Sequence, residues 1–220
     1  MRPALRASEP VHVVSRVLPS VGSLRKRDMY LAIREATITA AKREDFRIVH
    51  LSIQRTHLHL IVEVQHRVAL AKGMQGFLIA AAKYIKRALR DRAGVQGEPG
   101  SVFADRYHAR TLATPRQVRN CIAYVLNNWR HHDEHRQGPA RAWTLDPFSS
   151  AMLFSGWKGL EQSSFMYPRR SSYDPLIVWQ PKTWLLRDSW QRHRLIDEYE
   201  VPGGHHRTSR SRPTDPALAE

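Results

Sequence analysis

The chain has one cysteine, Cys121, among 220 residues. A single thiol excludes an intramolecular disulfide and any cysteine-rich zinc site, and it fits a reducing compartment, so a cytoplasmic location is expected. There is no run of about 18 apolar residues, the length a membrane-spanning helix needs, and the N-terminus lacks the apolar core of a signal peptide. A membrane or secreted protein is therefore not expected. Acidic residues are scarce. Asp plus Glu number 20 against 35 Lys plus Arg, leaving a net charge of +15 with histidine neutral. Such an excess favours a polyanionic partner, above all nucleic acid, through counterion release. A generic basic surface or an anionic membrane are the other readings of charge alone. No internal repeat is evident. What is present in quantity is apolar surface, 42% of residues, enough for a core.

The most regular stretch is residues 57–64, His-Leu-His-Leu-Ile-Val-Glu-Val. At period two, Leu58, Leu60, Val62 and Val64 form one apolar face and His57, His59, Ile61 and Glu63 the other. Such alternation predicts a strand with one side on a core. It sets two imidazoles side by side, a half-site for a divalent cation. On its own the pair reads equally as solvent-facing polar residues, and a metal needs a third ligand.

Around this stretch the pattern predicts a strand at 11–17, a helix over 23–43, a strand at 46–53 joined to 57–64 as a hairpin, and a long helix over 68–92. Residues 94–100 read as a loop, 101–112 as a fourth strand, and 115–132 as a helix opened by Thr114-Pro115. Strand, helix, strand, strand, helix, strand predicts an α+β protein, the ferredoxin-like βαββαβ sandwich, with one additional helix. That last helix carries Asn120, Tyr124 and Asn128 at four-residue spacing, on a different stripe from Val118, Cys121, Ile122, Val125 and Trp129. The expected DNA-contacting side chains are Lys83 and Arg87 on the long helix, Arg106, His108 and Arg110 at period two on the fourth strand, and Arg119 beside the tyrosine. Each basic group reads also as an ordinary solvated face, or as charge protecting a sheet edge.

After Gly138 the composition changes. All but one of the six tryptophans lie there, prolines break the chain into short pieces, and only 183–198 looks helical. The expected organisation is a catalytic domain over 1–137, a Trp-rich appendage packed on it over 138–202, and a disordered tail over 203–220.

The segments Thr56-His57-Leu58-His59-Leu60-Ile61-Val62, Phe103-Ala104-Asp105-Arg106-Tyr107 and Tyr124-Val125-Leu126-Asn127-Asn128 resemble the HUH endonuclease superfamily, within it the single-tyrosine transposases, and most closely those associated with REP elements. The resemblance covers about residues 11–135. His-x-His alone is common, whereas His-x-His followed at this distance by Tyr-x-x-x-Asn on a helix is fairly specific. The resemblance implies that His57 and His59 bind a divalent metal, Mg²⁺ or Mn²⁺, that Asn128 completes the site, and that Tyr124 is the nucleophile. It implies cleavage and rejoining of single-stranded DNA, often bearing a hairpin, through a 5′-phosphotyrosine, by a monomer or homodimer. One departure is that the family often has Asn-Pro after the tyrosine, whereas Trp129 follows Asn128 here.

Three other readings stay open. A replication-initiator nickase uses the same chemistry. A catalytically silent nucleic-acid-binding protein, including an RNA-recognition-type module, uses the same sheet. A metal cluster could form from His131, His132 and His135 with Asp133.

Overall fold

The computed structural model describes residues 5–93, 100–136, 143–159 and 174–201. The expected boundary at 137, the loop over 94–99 and the expected tail over 203–220 lie outside them.

The sheet is built from β1 (Val11–Arg16), β2 (Phe46–Ile53), β3 (His57–Val64) and β4 (His108–Thr111), in the order β2-β3-β1-β4. Each neighbouring pair is antiparallel. This is the strand order of the ferredoxin-like sandwich. β2 and β3 turn through Gln54–Thr56, closed by Gln54 N–H donating to the His57 carbonyl at 2.9 Å. Leu58, Leu60, Val62 and Val64 are buried against α1 (Arg27–Ala40) and α2 (Arg67–Ala93), which cover one face. The other face is covered by α3 (Pro115–His131), whose Val118, Ile122, Val125 and Leu126 join Val49 and Ile61 in a second core. β2 is consequently buried at every position rather than alternating, as a strand covered on both faces must be. Between Ile48 and His50 its register slips by a residue, so Phe46 and Ile48 before the bulge and Leu51 and Ile53 after it all enter the first core, while Val49 joins the second.

α3 begins as the sequence predicts. Thr114 Oγ1 accepts from Gln117 N–H at 3.3 Å, Gln117 Oε1 accepts from Ala113 N–H at 2.9 Å, and Pro115 takes the first turn.

The C-terminal segment wraps the outer edge of β2. Thr37 Oγ1 accepts from Ile177 N–H at 3.2 Å on the α1 side. Trp179 N–H then donates to the Ile48 carbonyl at 2.8 Å, occupying the sheet edge. Past the edge, the Glu63 carboxylate accepts from the N–H groups of Lys182 and Thr183 and pairs with Arg47. The short α4 (Trp184–Arg187) then packs Leu185 and Leu186 into the second core. No helix among the described residues is long and apolar enough to cross a membrane.

Three expected elements are shorter than predicted. The fourth strand, expected over 101–112, forms only at His108–Thr111. Residues 102–104 run past the end of β1, where Leu18 N–H donates to the Val102 carbonyl and Ala104 N–H to that of Arg16, before the chain leaves the sheet. Arg106 therefore shares no strand stripe with His108 and Arg110. The helix expected over 183–198 stops at Arg187. The backbone breaks at Asp188 (φ −127°, ψ −41°) and turns again at Arg194 (φ 79°). The reason lies in the pairing that replaces it: Ile196 N–H donates to the Gly156 carbonyl, and Lys158 N–H to that of Ile196. The first helix also starts later than expected, at Arg27, because Arg25 is drawn aside into a bidentate pair with the wholly buried Asp146 at 2.8 and 2.9 Å.

Candidate active site

Alternation on β3 sends His57 and His59 to the sheet face covered by α3. β1 lies beside β3 and contributes a third imidazole, His12, from the diagonal position. His12 Nε2 lies 3.2 Å from His59 Nδ1. Their ring planes differ by 13° with centroids 5.4 Å apart, a separation that matches two rings meeting edge to edge through that contact rather than stacking face to face.

α3 supplies the opposite wall. The Tyr124 ring stands perpendicular to His59 at 5.2 Å and edge-on to His12 at 6.0 Å. Two turns further on, the His132 ring is 5.7 Å from His57. Asn128 lies between them on the same helical stripe. It is fully buried, and neither its Oδ1 nor its Nδ2 has a partner among the described residues. His59 Nε2 is likewise buried and unpartnered. A buried amide with both polar atoms unmatched is costly unless something else binds them. Tyr124 and Asn128 on α3 come together with His57 and His59 on β3 of the same chain.

The electrostatics keep the imidazoles neutral. Burial lowers His59 to about 2, helped by the charges His57, His12, His132 and Arg16 would carry. Burial likewise lowers His57 to about 4, with His132 and Arg16 adding to it. His12 falls to about 4 through burial and the neighbouring Arg110. Neutral nitrogens are what a metal requires. The donor set of two imidazoles and an amide oxygen suits a divalent ion, and the unpartnered Asn128 Oδ1 and His59 Nε2 are the atoms that fit it. Glu63, on the same face, is consumed by Arg47 and the amides of Lys182 and Thr183. Among the described residues no three His, Cys, Asp or Glu side chains group to hold an ion. The alternative cluster of His131, His132, His135 and Asp133 is therefore not formed. An RNA-recognition-type use of the sheet is also excluded in this conformation, because α3 occupies the face on which bases would stack.

The expected DNA-contacting residues separate. Arg110 pairs directly across from His12, and His108 across from Val14; both are exposed on the edge strand. Arg106 is exposed in the segment before β4. Arg119 is held instead by the Glu200 carboxylate and the Leu195 carbonyl, where it anchors the C-terminal segment to α3. Lys83 and Arg87 are exposed on α2, across the sheet from the histidines. The sequence reading did not single out His12 or Arg16, and it set His132 in a different cluster from the one it joins beside His57. The signal for His12 was there: Val11-His12-Val13 puts a lone histidine on the polar face of a strand that the predicted fold sets beside β3.

The family described as "Transposase IS200 like" matches residues 10–128, from the start of β1 through Asn128 and more than half of the chain. No curated protein matches. Among solved structures, a REP-associated tyrosine transposase bound to a REP hairpin is 14% identical, with 83% of this chain and 91% of that one covered and a TM-score of 0.49. A putative transposase from Deinococcus radiodurans R1 is 12% identical, with 63% and 95% covered and a TM-score of 0.39. A bacterial tRNA(His) guanylyltransferase-like protein in complex with GTP is 15% identical, with 61% and 66% covered and a TM-score of 0.43. With the matched segment running through His57, His59, Tyr124 and Asn128, this chain belongs to the IS200-like transposase family.

Proposed function

We propose that the protein is a metal-dependent single-stranded DNA endonuclease and strand transferase that acts through a 5′-phosphotyrosine at Tyr124. The supporting observation is the placement of the Tyr124 ring over His59, with the unpartnered Asn128 amide one turn further along α3. His57, His59 and the Asn128 oxygen would hold Mg²⁺ or Mn²⁺. Bound there, the ion would supply Lewis-acid polarisation of the scissile phosphate and offset its charge. Tyr124 Oη attacks phosphorus, an O–P bond forms, and the bond from phosphorus to the 3′ oxygen breaks. The phenolic proton goes to solvent, and the departing oxygen takes one up as a free 3′-OH. One phosphoester replaces another, so a second 3′-OH can reverse the step and join strands without ATP. The +15 net charge supports a nucleic-acid substrate. Single-stranded DNA with a hairpin is the form proposed, cleaved in the cytoplasm by a monomer or homodimer.

The test is a denaturing gel with labelled single-stranded oligonucleotides from the DNA flanking the gene, with Mn²⁺ or Mg²⁺. The wild type should yield a metal-dependent covalent adduct and Tyr124→Phe none. Binding without cleavage, unchanged by Tyr124→Phe across several flanking substrates, would replace this reading with a silenced DNA-binding protein.

A further inference from the structure

The proposed strand-transfer chemistry uses His57, His59, Asn128 and Tyr124 and leaves His12 without a task. Its ring nevertheless sits in the densest part of the site, in contact with both His59 and Tyr124. The edge-to-edge contact between His12 Nε2 and His59 Nδ1 has room for one proton. If His12 donates, His59 must carry its own proton on Nε2, where it meets no acceptor and blocks the only free nitrogen. If His59 donates from Nδ1, its Nε2 lone pair is left bare. The second arrangement leaves no buried N–H unpaired, and the first leaves one. His57 repeats the pattern. Its Nδ1 lies 3.2 Å from Thr56 Oγ1, so a Nδ1–H has an acceptor there too.

We propose that His12 is a positioning residue. Its Nε2 accepts from His59 Nδ1–H and fixes the tautomer that directs the His59 Nε2 lone pair at the divalent-ion position, and Thr56 Oγ1 does the same for His57. Two liganding imidazoles on one strand thus receive their outer hydrogen bonds from different sources, one from the adjacent β1 and one from the hairpin turn. An acceptor on the far nitrogen fixes the ring and raises the basicity of the near one, and its loss costs metal affinity ~10–100-fold in comparable sites. The inference rests on the metal-site reading above, but it is testable without it.

The experiment uses the full chain with ¹⁵N-labelled histidine. In the metal-free protein, ring ¹⁵N spectra should show His59 protonated at Nδ1 and bare at Nε2, the tautomer that free neutral histidine favours less. In His12→Phe the same ring should move toward the Nε2–H form. Mn²⁺ binding, followed by electron paramagnetic resonance without DNA, should weaken ~10–100-fold in His12→Phe. It should recover in His12→Gln, whose Oε1 can accept at the place of the imidazole Nε2. His59 found with its proton on Nε2 in the wild type overturns the proposal, even if His12→Phe fails to fold. So does unchanged Mn²⁺ affinity in a folded His12→Phe; a slower cleavage step there would make His12 a proton acceptor for Tyr124 instead. A wild type that binds no Mn²⁺ but shows the Nδ1–H tautomer refutes the metal reading and leaves the hydrogen bond standing.

Discussion

At the scale of single residues, the site departs from what a stable core would choose. Asn128 is wholly buried with both amide atoms unmatched, a position that Leu, of the same branched skeleton though bulkier, would fill with no polar atom left over. Replacing an unsatisfied buried polar group by an apolar one removes a desolvation cost of about 1–3 kcal/mol. Asn128→Leu should therefore raise the urea midpoint of the metal-free protein while abolishing Mn²⁺-induced stabilisation. A lower midpoint in the absence of metal would mean that the amide is paired after all. The histidines make a second prediction. Unfolded imidazoles take up protons near pH 6.5. The folded His12 and His57 resist to about 4 and His59 to about 2, facing one another together with His132, Arg16 and Arg110. His50, buried beside Phe154 and also lowered to about 4, adds to the effect. Unfolding therefore binds protons in this window, so stability should fall as pH drops from about 6.5 toward about 4, and the histidine contribution should be flat above it. Urea midpoints that do not change across that window would show that these rings are already charged in the folded state.

At the scale of elements, the close approach of α2 to β2 sets a strict requirement. A Cβ at Gly73 would stand 2.1 Å from Cγ of Phe46, a ring with no exposure. Alanine is the better helix former by about 1 kcal/mol. Here the overlap with an immobile ring outweighs it, and overpacking of this kind costs about 1–3 kcal/mol. Gly73→Ala should lower the thermal midpoint, and a rise would show that α2 can slide away from Phe46. The elements also show what was legible in the sequence. β2, β3 and α3 were readable because each carries its own evidence: strict alternation for β3, β-branched density for β2, and a Thr-Pro-x-Gln opening for α3. With the strand order that follows from them, the face bearing His57, His59, Tyr124 and Asn128 could be assembled. β4 and the 183–198 segment were misjudged because their ends are decided by partners far along the chain: the end of β1 in one case, and Gly156 with Lys158 in the other. His12 was missed for a related reason. Its role depends on a diagonal neighbour on the adjacent strand, so the lone polar-face histidine of Val11-His12-Val13 gains meaning only once β1 is set beside β3.

At the scale of the whole molecule, the positive charge divides between two faces of one sheet. Arg16 and Arg110 lie on the strands beside the histidines, paired across from His57 and His12, and both are exposed. Lys83 and Arg87 project from α2 on the far side of the first core, where Arg87 already has Asp91 one turn away at 3.9 Å. A single strand whose scissile phosphate lies at Tyr124 would meet the first pair directly, but would have to turn around the edge of the sheet to meet the second. Salt dependence separates these paths, because each phosphate contact to single-stranded DNA contributes about 0.7 to the slope of log affinity against log salt. Removing Arg16 and Arg110 together should flatten the slope by roughly 1.4. Removing Lys83 and Arg87 together should leave it near the wild-type value, although the change in net charge is the same. Equal flattening by both pairs would show that the DNA, its hairpin included, tracks along α2 as well, and would enlarge the footprint from one face to the edge and back of the sheet.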